Sequence, residues 1–275
     1  HLFKIIAGLK KRGVAIIYIS HKMEEILRIS DEVTIMRDGT YIGTWPASEL
    51  TTDLIIKRMV GREMTQLFPE KTNTPGEEVL RAEGLTSILS NSFKNVSFSL
   101  RKGEILGVGG LVGSRRTEVV EALFGLRHLQ SGKIYLHGKE VKIKNPRDAK
   151  KYHMALLTEE RRTTGIFPML NIVDNNTMAS MMKYKNRVGL LNDLLRETDT
   201  KQGITSLRIK TPGTDTRIQS LSGGNQQKVL ISRWLNTAPD ILLLDEPTRG
   251  IDVGAKYEIY TIINRLASEG KSVIM

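Results

Sequence analysis

The sequence has 275 residues, a formal net charge of +11, 40% hydrophobic and 26% charged residues, and no cysteine. That composition suits a soluble globular chain and contains no apolar run near the roughly 20 residues of a membrane span. It also excludes a disulfide scaffold, thiolate catalysis and a cysteine zinc site. The positive charge is spread out, with no tight block of like charges, and reads as a solvated excess rather than a nucleic-acid surface.

In chain order, Leu2, Ile5, Ile6 and Leu9 recur at helical spacing, and Gly13 ends that helix. Val14–Ile19 is continuously apolar and predicts a buried strand, with His21 just beyond it. Ile26, Leu27 and Ile29 suggest a second helix. Val33–Met36, Asp38-Gly39 and Tyr41–Gly43 predict a hairpin, and 48–60 a helix. The polar stretch 69–77, with two prolines, reads as a linker.

The pattern then restarts. Val79–Leu85, Val96–Leu100, Glu104–Gly109, Lys133–Leu136, Met154–Leu157 and Ile241–Leu244 predict strands. Thr117–Phe124 and 255–267 predict helices, and 168–210 is polar and weakly helical. An internal repeat underlies this restart. Shifted by 257 residues, Leu2, Ile5, Leu9 and Gly13 fall on Ile259, Ile262, Leu266 and Gly270. A two-copy protein is expected, cut mid-pattern at both ends.

Three motifs carry chemistry. Gly110-Leu-Val-Gly113-Ser114-Arg115-Arg116-Thr117 sits between a strand and a helix, the context of a phosphate-cradling loop. Arg115 stands where that pattern has its second glycine and Arg116 where it has lysine. Leu221-Ser222-Gly223-Gly224-Asn225 opens a helix and either presents a hydroxyl and bare N–H groups to an anion or is a simple N-cap. Ile241–Leu244 ends in Asp245-Glu246. A buried strand ending in two acids fits a magnesium ligand beside a carboxylate that orients water.

In this order and spacing, followed by Gly250-Ile-Asp252, the motifs resemble the ATP-binding cassette ATPases over essentially the whole chain. The resemblance implies an α/β P-loop fold of ABC type: a mixed sheet core, an antiparallel β subdomain and a helical subdomain near 168–236. It implies ATP and Mg2+ as cofactors. Gly110, Gly113, Ser114, Arg115, Arg116, Thr117, Glu118 and Glu159 would line one nucleotide site. Thr117 and Asp245 would hold the metal, with Glu246 catalytic. Ser222, Gly223, Gly224, Asn225 and Asp252 would serve as signature and D-loop, and His21 as the switch histidine of a preceding cassette. Residues 1–68 would be the tail of that first cassette and 78–275 most of a second.

The runs Thr158-Glu-Glu-Arg-Arg162, Ser222–Lys228 and Asp245–Gly254 are similar to the second cassette of tandem ATPase subunits of bacterial monosaccharide importers, closest to those for galactose and methyl galactoside. The implied partners are membrane permease subunits at the cytoplasmic face of the inner membrane and, through them, a periplasmic sugar-binding protein. The permease contact would lie near Glu159 and 165–185. Arg116, Glu159 in place of the Q-loop glutamine, and the lack of an adenine-stacking aromatic upstream of Val96 imply weak hydrolysis at this P-loop. Two rivals stand beside this reading: a soluble tandem-cassette ATPase acting on ribosomes or DNA, and a non-catalytic interaction module.

Overall fold

The structure, a computed structural model, describes residues 1–20, 22–37, 39–60 and 68–275. The chain divides into two compact units, 1–69 with 252–258, and 70–251 with 259–275.

The first unit holds α1 (Leu2–Lys11), α2 (Met23–Ile29), the hairpin β1 (Glu32–Arg37) and β2 (Thr40–Pro46), and α3 (Thr52–Val60). The hairpin is antiparallel with a bulge at Ile35/Met36. One strand face supplies Val33 and Ile35 to a small core with Met23, Ile55 and Ile56. This is the period-2 burial of a half-solvated antiparallel pair. Asp38 of the expected turn lies outside the described residues.

Val14–Ile19 departs from expectation. It forms no strand, and Ile17 and Ile19 are each 93% exposed. A buried-type strand exists only where neighbours pair with its backbone and cover its faces. Among the described residues no ladder partner meets this segment.

In the second unit, β3 (Glu78–Ser87), β4 (Val96–Arg101), β5 (Ile105–Leu106), α4 (Arg116–Leu123), β6 (Leu129–Leu136), β7 (Lys139–Val141), α5 (Pro146–Lys151) and β8 (Met154–Leu157) come in order. The helical stretch follows: α6 (Ile172–Thr177), α7 (Asp193–Ser206) and α8 (Gly223–Leu235). Then come β9 (Ile241–Leu244), α9 (Val253–Ser268), of which residues up to Glu258 belong to the first unit, and β10 (Ser272–Ile274).

Two sheets result. The antiparallel one runs β4-β3-β6-β7 and the parallel one β5-β10-β9-β8. β8 and β9 are buried at every residue, which is why they read as unbroken apolar runs. Val119, Val120 and Leu123 of α4 share one core with Leu80 and Leu100 of the antiparallel sheet and Leu156 and Leu243 of the parallel one.

The strand expected at Glu104–Gly109 is only two residues long. Glycines at 107 and 109 weaken a strand interior, although the Val108 N–H still donates to the Met275 carbonyl at 2.7 Å. The segment 69–77 carries no regular element.

The helical stretch has a polar interior. Arg233 is buried and donates to the Gly165 carbonyl at 2.6 Å and to Asn175 Oδ1 at 2.9 Å. Burial alone pulls its pKa down to about 10. Arg196 bridges Asp174 and Asp193. No helix among the described residues is long and apolar enough to cross a membrane.

Candidate functional site

The loop after β5 tightens by steps. Ser114 N–H donates to the Leu111 carbonyl at 3.0 Å, and Gly113 has φ +87°. Arg115 then adopts φ +68°, ψ +26°, a left-handed conformation that suits glycine, immediately before α4 begins. The loop thus keeps the turn that a glycine would make, with an arginine in it. A Cβ on Gly110 would lie 2.4 Å from Ser114 Oγ, so a side chain there would have to turn the Ser114 hydroxyl away.

The Arg115 side chain pairs with Glu118 at 3.0 Å. Burial works against the Glu118 charge, but hydrogen bonds from Arg115 and the backbone win and hold its carboxyl below the usual range. Arg116 reaches across the loop, its Nη2 3.4 Å from Glu246 Oε1. An open pocket of about 190 Å³ contains Arg116, Asp245, Glu246, Thr248 and Tyr260 among its lining residues.

Thr117, in the first turn of α4, donates from Oγ1 to Glu159 Oε2 at 3.4 Å. Asp245 lies at the C-terminal end of β9. Burial raises its carboxyl pKa, the Thr117 hydroxyl opposes this, and the charges of Glu159 and Glu246 push it further up. Glu246 sits at φ +46°. Arg249 pairs with both Glu159 and, at 2.8 Å, Glu160.

The described residues contain no cluster of three or more His, Asp or Glu able to hold a metal alone. A hydroxyl and one carboxylate, Thr117 and Asp245, do fit Mg2+, which keeps waters and phosphate oxygens in its remaining positions.

Residues 222–225, expected as a signature, take no part in these contacts. Among the described residues no hydrogen bond or ion pair joins 222–225 to the loop 110–117. Ser222 does not cap α8 with its side chain. Its hydroxyl accepts from Asn225 Nδ2 at 2.9 Å, while Asn225 Oδ1 accepts from the Lys210 N–H. This removes the simple N-cap reading and leaves an exposed hydroxyl at a helix N-terminus. Asp252 belongs to the other compact unit, where its Oδ1 accepts from the Ala255 N–H at the start of α9. His21 lies outside the described residues. Phe93, the aromatic just upstream of β4, is buried in the core.

The sequence motifs contain Glu160, Arg161 and Arg249, but nothing local marks their roles. Their bonds to one another, to Glu159 and to Gln226 span 65 to 90 residues of sequence.

A strand-loop-helix turn beside an Asp-Glu strand end, with a Ser-Gly-Gly helix start in the same compact unit, is the arrangement of an ATP-binding cassette. The chain belongs to the ABC transporter family, whose model matches residues 93–249. It is 63% identical over its whole length to the galactose/methyl galactoside import ATP-binding protein MglA of Clostridium tetani, and 55% identical to that of Escherichia coli. It spans about half the length of these curated relatives, 55% and 54%.

Solved structures share the fold at low identity. A nucleotide-free ATP-binding cassette from an ABC transporter matches with TM-score 0.60 at 20% identity, over 72% of this chain and 80% of that one. The dimeric post-hydrolysis cassette MJ0796, bound to ADP and Pi, matches with TM-score 0.59 at 20% identity, over 71% and 86%.

Proposed function

We propose that this chain is part of an ATP-binding and ATP-hydrolysing subunit that energises import of a monosaccharide, galactose or methyl galactoside, by a bacterial transporter. The carrying observation is that Arg116, Asp245 and Glu246 line one pocket, with the Thr117 hydroxyl bonded to Asp245, in a chain 63% identical along its whole length to a sugar-import ATP-binding protein.

In this reading residues 1–68 are the tail of a first cassette, 69–77 a linker, and 78–275 most of a second, with its helical subdomain near 168–236. The cassettes pair head to tail. Ser222, Gly223, Gly224 and Asn225 then face the first cassette's P-loop, with Asp252 beside them and His21 serving the same site. Gly110, Gly113, Ser114 and Arg115–Glu118 cradle nucleotide at a second, degenerate site with Glu159. Thr117 and Asp245 hold Mg2+, which would neutralise phosphate charge.

In this reading Glu246 orients water, but the Arg116 guanidinium sits 3.4 Å from its carboxylate, so a water must displace it to reach that oxygen. Hydrolysis at this site is then weak, and turnover belongs to the other. Exposed Phe167, Met169 and Met182 suit contact with permease subunits at the cytoplasmic membrane face, and through them a periplasmic sugar-binding protein. Nucleic acid is not a partner.

The test is a pair of substitutions in the intact two-cassette protein with its permease. Glu246→Gln lowers ATP turnover by no more than about twofold, whereas the matching change in the first cassette costs about a hundredfold or more. Equal losses would overturn the asymmetric assignment.

A further inference from the structure

The bonds around 158–165 form a continuous connection between the P-loop side and the signature side. Glu159 accepts from Thr117 at 3.4 Å and pairs with Arg249. The Arg249 carbonyl in turn accepts from Arg161 Nη1 at 3.4 Å. Arg161 Nε donates to Gln226 Oε1 at 3.1 Å. The buried Gln226 amide nitrogen donates to the carbonyls of Leu221 at 3.0 Å and Ile218 at 3.2 Å. The path thus ends on the backbone of the signature loop itself.

The turn that carries Arg161 is stiff and held at both ends. Thr158 and Thr164 share a hydrogen bond of 2.7 Å, and the Thr164 hydroxyl donates to the Glu160 carbonyl at 2.9 Å. At the far end, a Cβ on Gly165 would lie 2.8 Å from a Leu230 methyl group on α8. At the near end, a Cβ on Gly223 would lie 2.9 Å from Arg161 Nη2, so the guanidinium is seated against the first residue of α8.

None of the Arg161 partners is a carboxylate. Its contacts are a backbone carbonyl and a side-chain amide, taken in two directions by one planar fork. An ammonium could not reproduce that geometry. Neutralising a charge is therefore not what the residue does there; fixing positions is.

We propose that Arg161 is a positioning residue that ties the Leu221–Gly224 signature loop to the Glu159–Arg249 pair, so that the state of the P-loop side of this cassette sets the geometry of the signature it offers to its partner cassette. This rests on the head-to-tail reading above. Misplacing a catalytic group by about 1 Å is enough to cost up to about a hundredfold in rate.

The test uses the intact two-cassette protein with its permease. Arg161→Ala lowers kcat for ATP about tenfold with KM within about twofold, and Arg161→Lys recovers little of it. Amide hydrogen exchange across 221–227 becomes about tenfold faster in Arg161→Ala and no longer responds to added nucleotide, while other helices keep their protection. Combining it with Glu159→Gln costs no more than the worse single change, because both cut one path. Unchanged kcat and exchange, or losses that multiply in the double variant, would overturn the proposal. Ser222→Arg is the control for the underlying reading. If it abolishes turnover while Arg161→Ala does not alter it, the positioning role alone fails. If Ser222→Arg leaves turnover intact, the head-to-tail assignment fails and the positioning role with it.

Discussion

Asp245 follows four residues that are all buried and still carries an acid. Its raised pKa means that the folded state binds the proton more tightly than the unfolded state does. Stability therefore rises as pH falls from neutral through the folded pKa and levels off below the unfolded value. Asp245→Asn removes the desolvation and the repulsion from Glu159 and Glu246. It is expected to raise the thermal midpoint at pH 7 by a few degrees, flatten the rise in stability on acidification and abolish Mg2+-dependent nucleotide binding. Scanning calorimetry between pH 5 and 8 checks this, and a lowered midpoint contradicts it. Stability given up at such a position is the usual cost of an acid kept for function, the role proposed for Asp245. Asp245, Glu246 and Thr117 are legible in the sequence because a P-loop and an acid-terminated strand are local patterns. The left-handed backbone at Arg115 is not, since the residue found there is the wrong type to announce it. Arg161 and Arg249 fall within the motifs but carry no sign of a role, because their partners are distant in sequence.

At the scale of elements, packing rather than pattern decides. Ile241–Leu244 and Val14–Ile19 look alike in sequence. The first becomes β9, with β8 on one edge and β10 on the other. The second becomes no strand, because a ladder partner is a non-local fact that no window of sequence contains. The helical stretch gives weak signals for a related reason. Its interior includes Asn175, Asn176, Thr200 and Arg233, so polar residues occupy the positions where apolar periodicity is sought. α8 is legible because Val229, Leu230 and Ile231 are apolar and buried. Leu230 is fully enclosed and packs on Gly165. Leu230→Ala should cost about 2–5 kcal/mol as lost transfer energy plus a cavity. Met182→Ala, at a residue 78% exposed, should change stability by less than about 0.5 kcal/mol. Urea titrations with unchanged slopes would show both. Similar midpoints for the two variants would contradict the packing described.

For the molecule as a whole, the excess of positive charge is not where a phosphate ligand would need it. Around the P-loop, Arg115 is matched by Glu118, Arg116 by Glu246, and Arg249 by Glu159 and Glu160, with Asp245 left over. Three guanidinium groups face five carboxylates, each cation already engaged. Salt screens these internal pairs as well as any attraction to an incoming anion. Nucleotide affinity at this site should therefore change by less than about threefold between about 0.05 M and about 0.5 M salt. Calorimetry on the intact protein with the first P-loop disabled would measure it. A steep loss of affinity with salt would mean that the arginines are free. The α/β class and the order of the functional loops are readable from the sequence. This internal neutralisation is not, because charge counts along a chain say nothing of which charges meet.

The Arg116–Glu246 pair has a kinetic consequence. A mouth that carries its own counter-ions casts little field into solution. It does not draw a polyanion from a distance, and each arrival must exchange one set of ion partners for another. Without long-range attraction, filling of such a site is set by unguided encounter rather than by steering, whatever the concentration of other polyanions nearby.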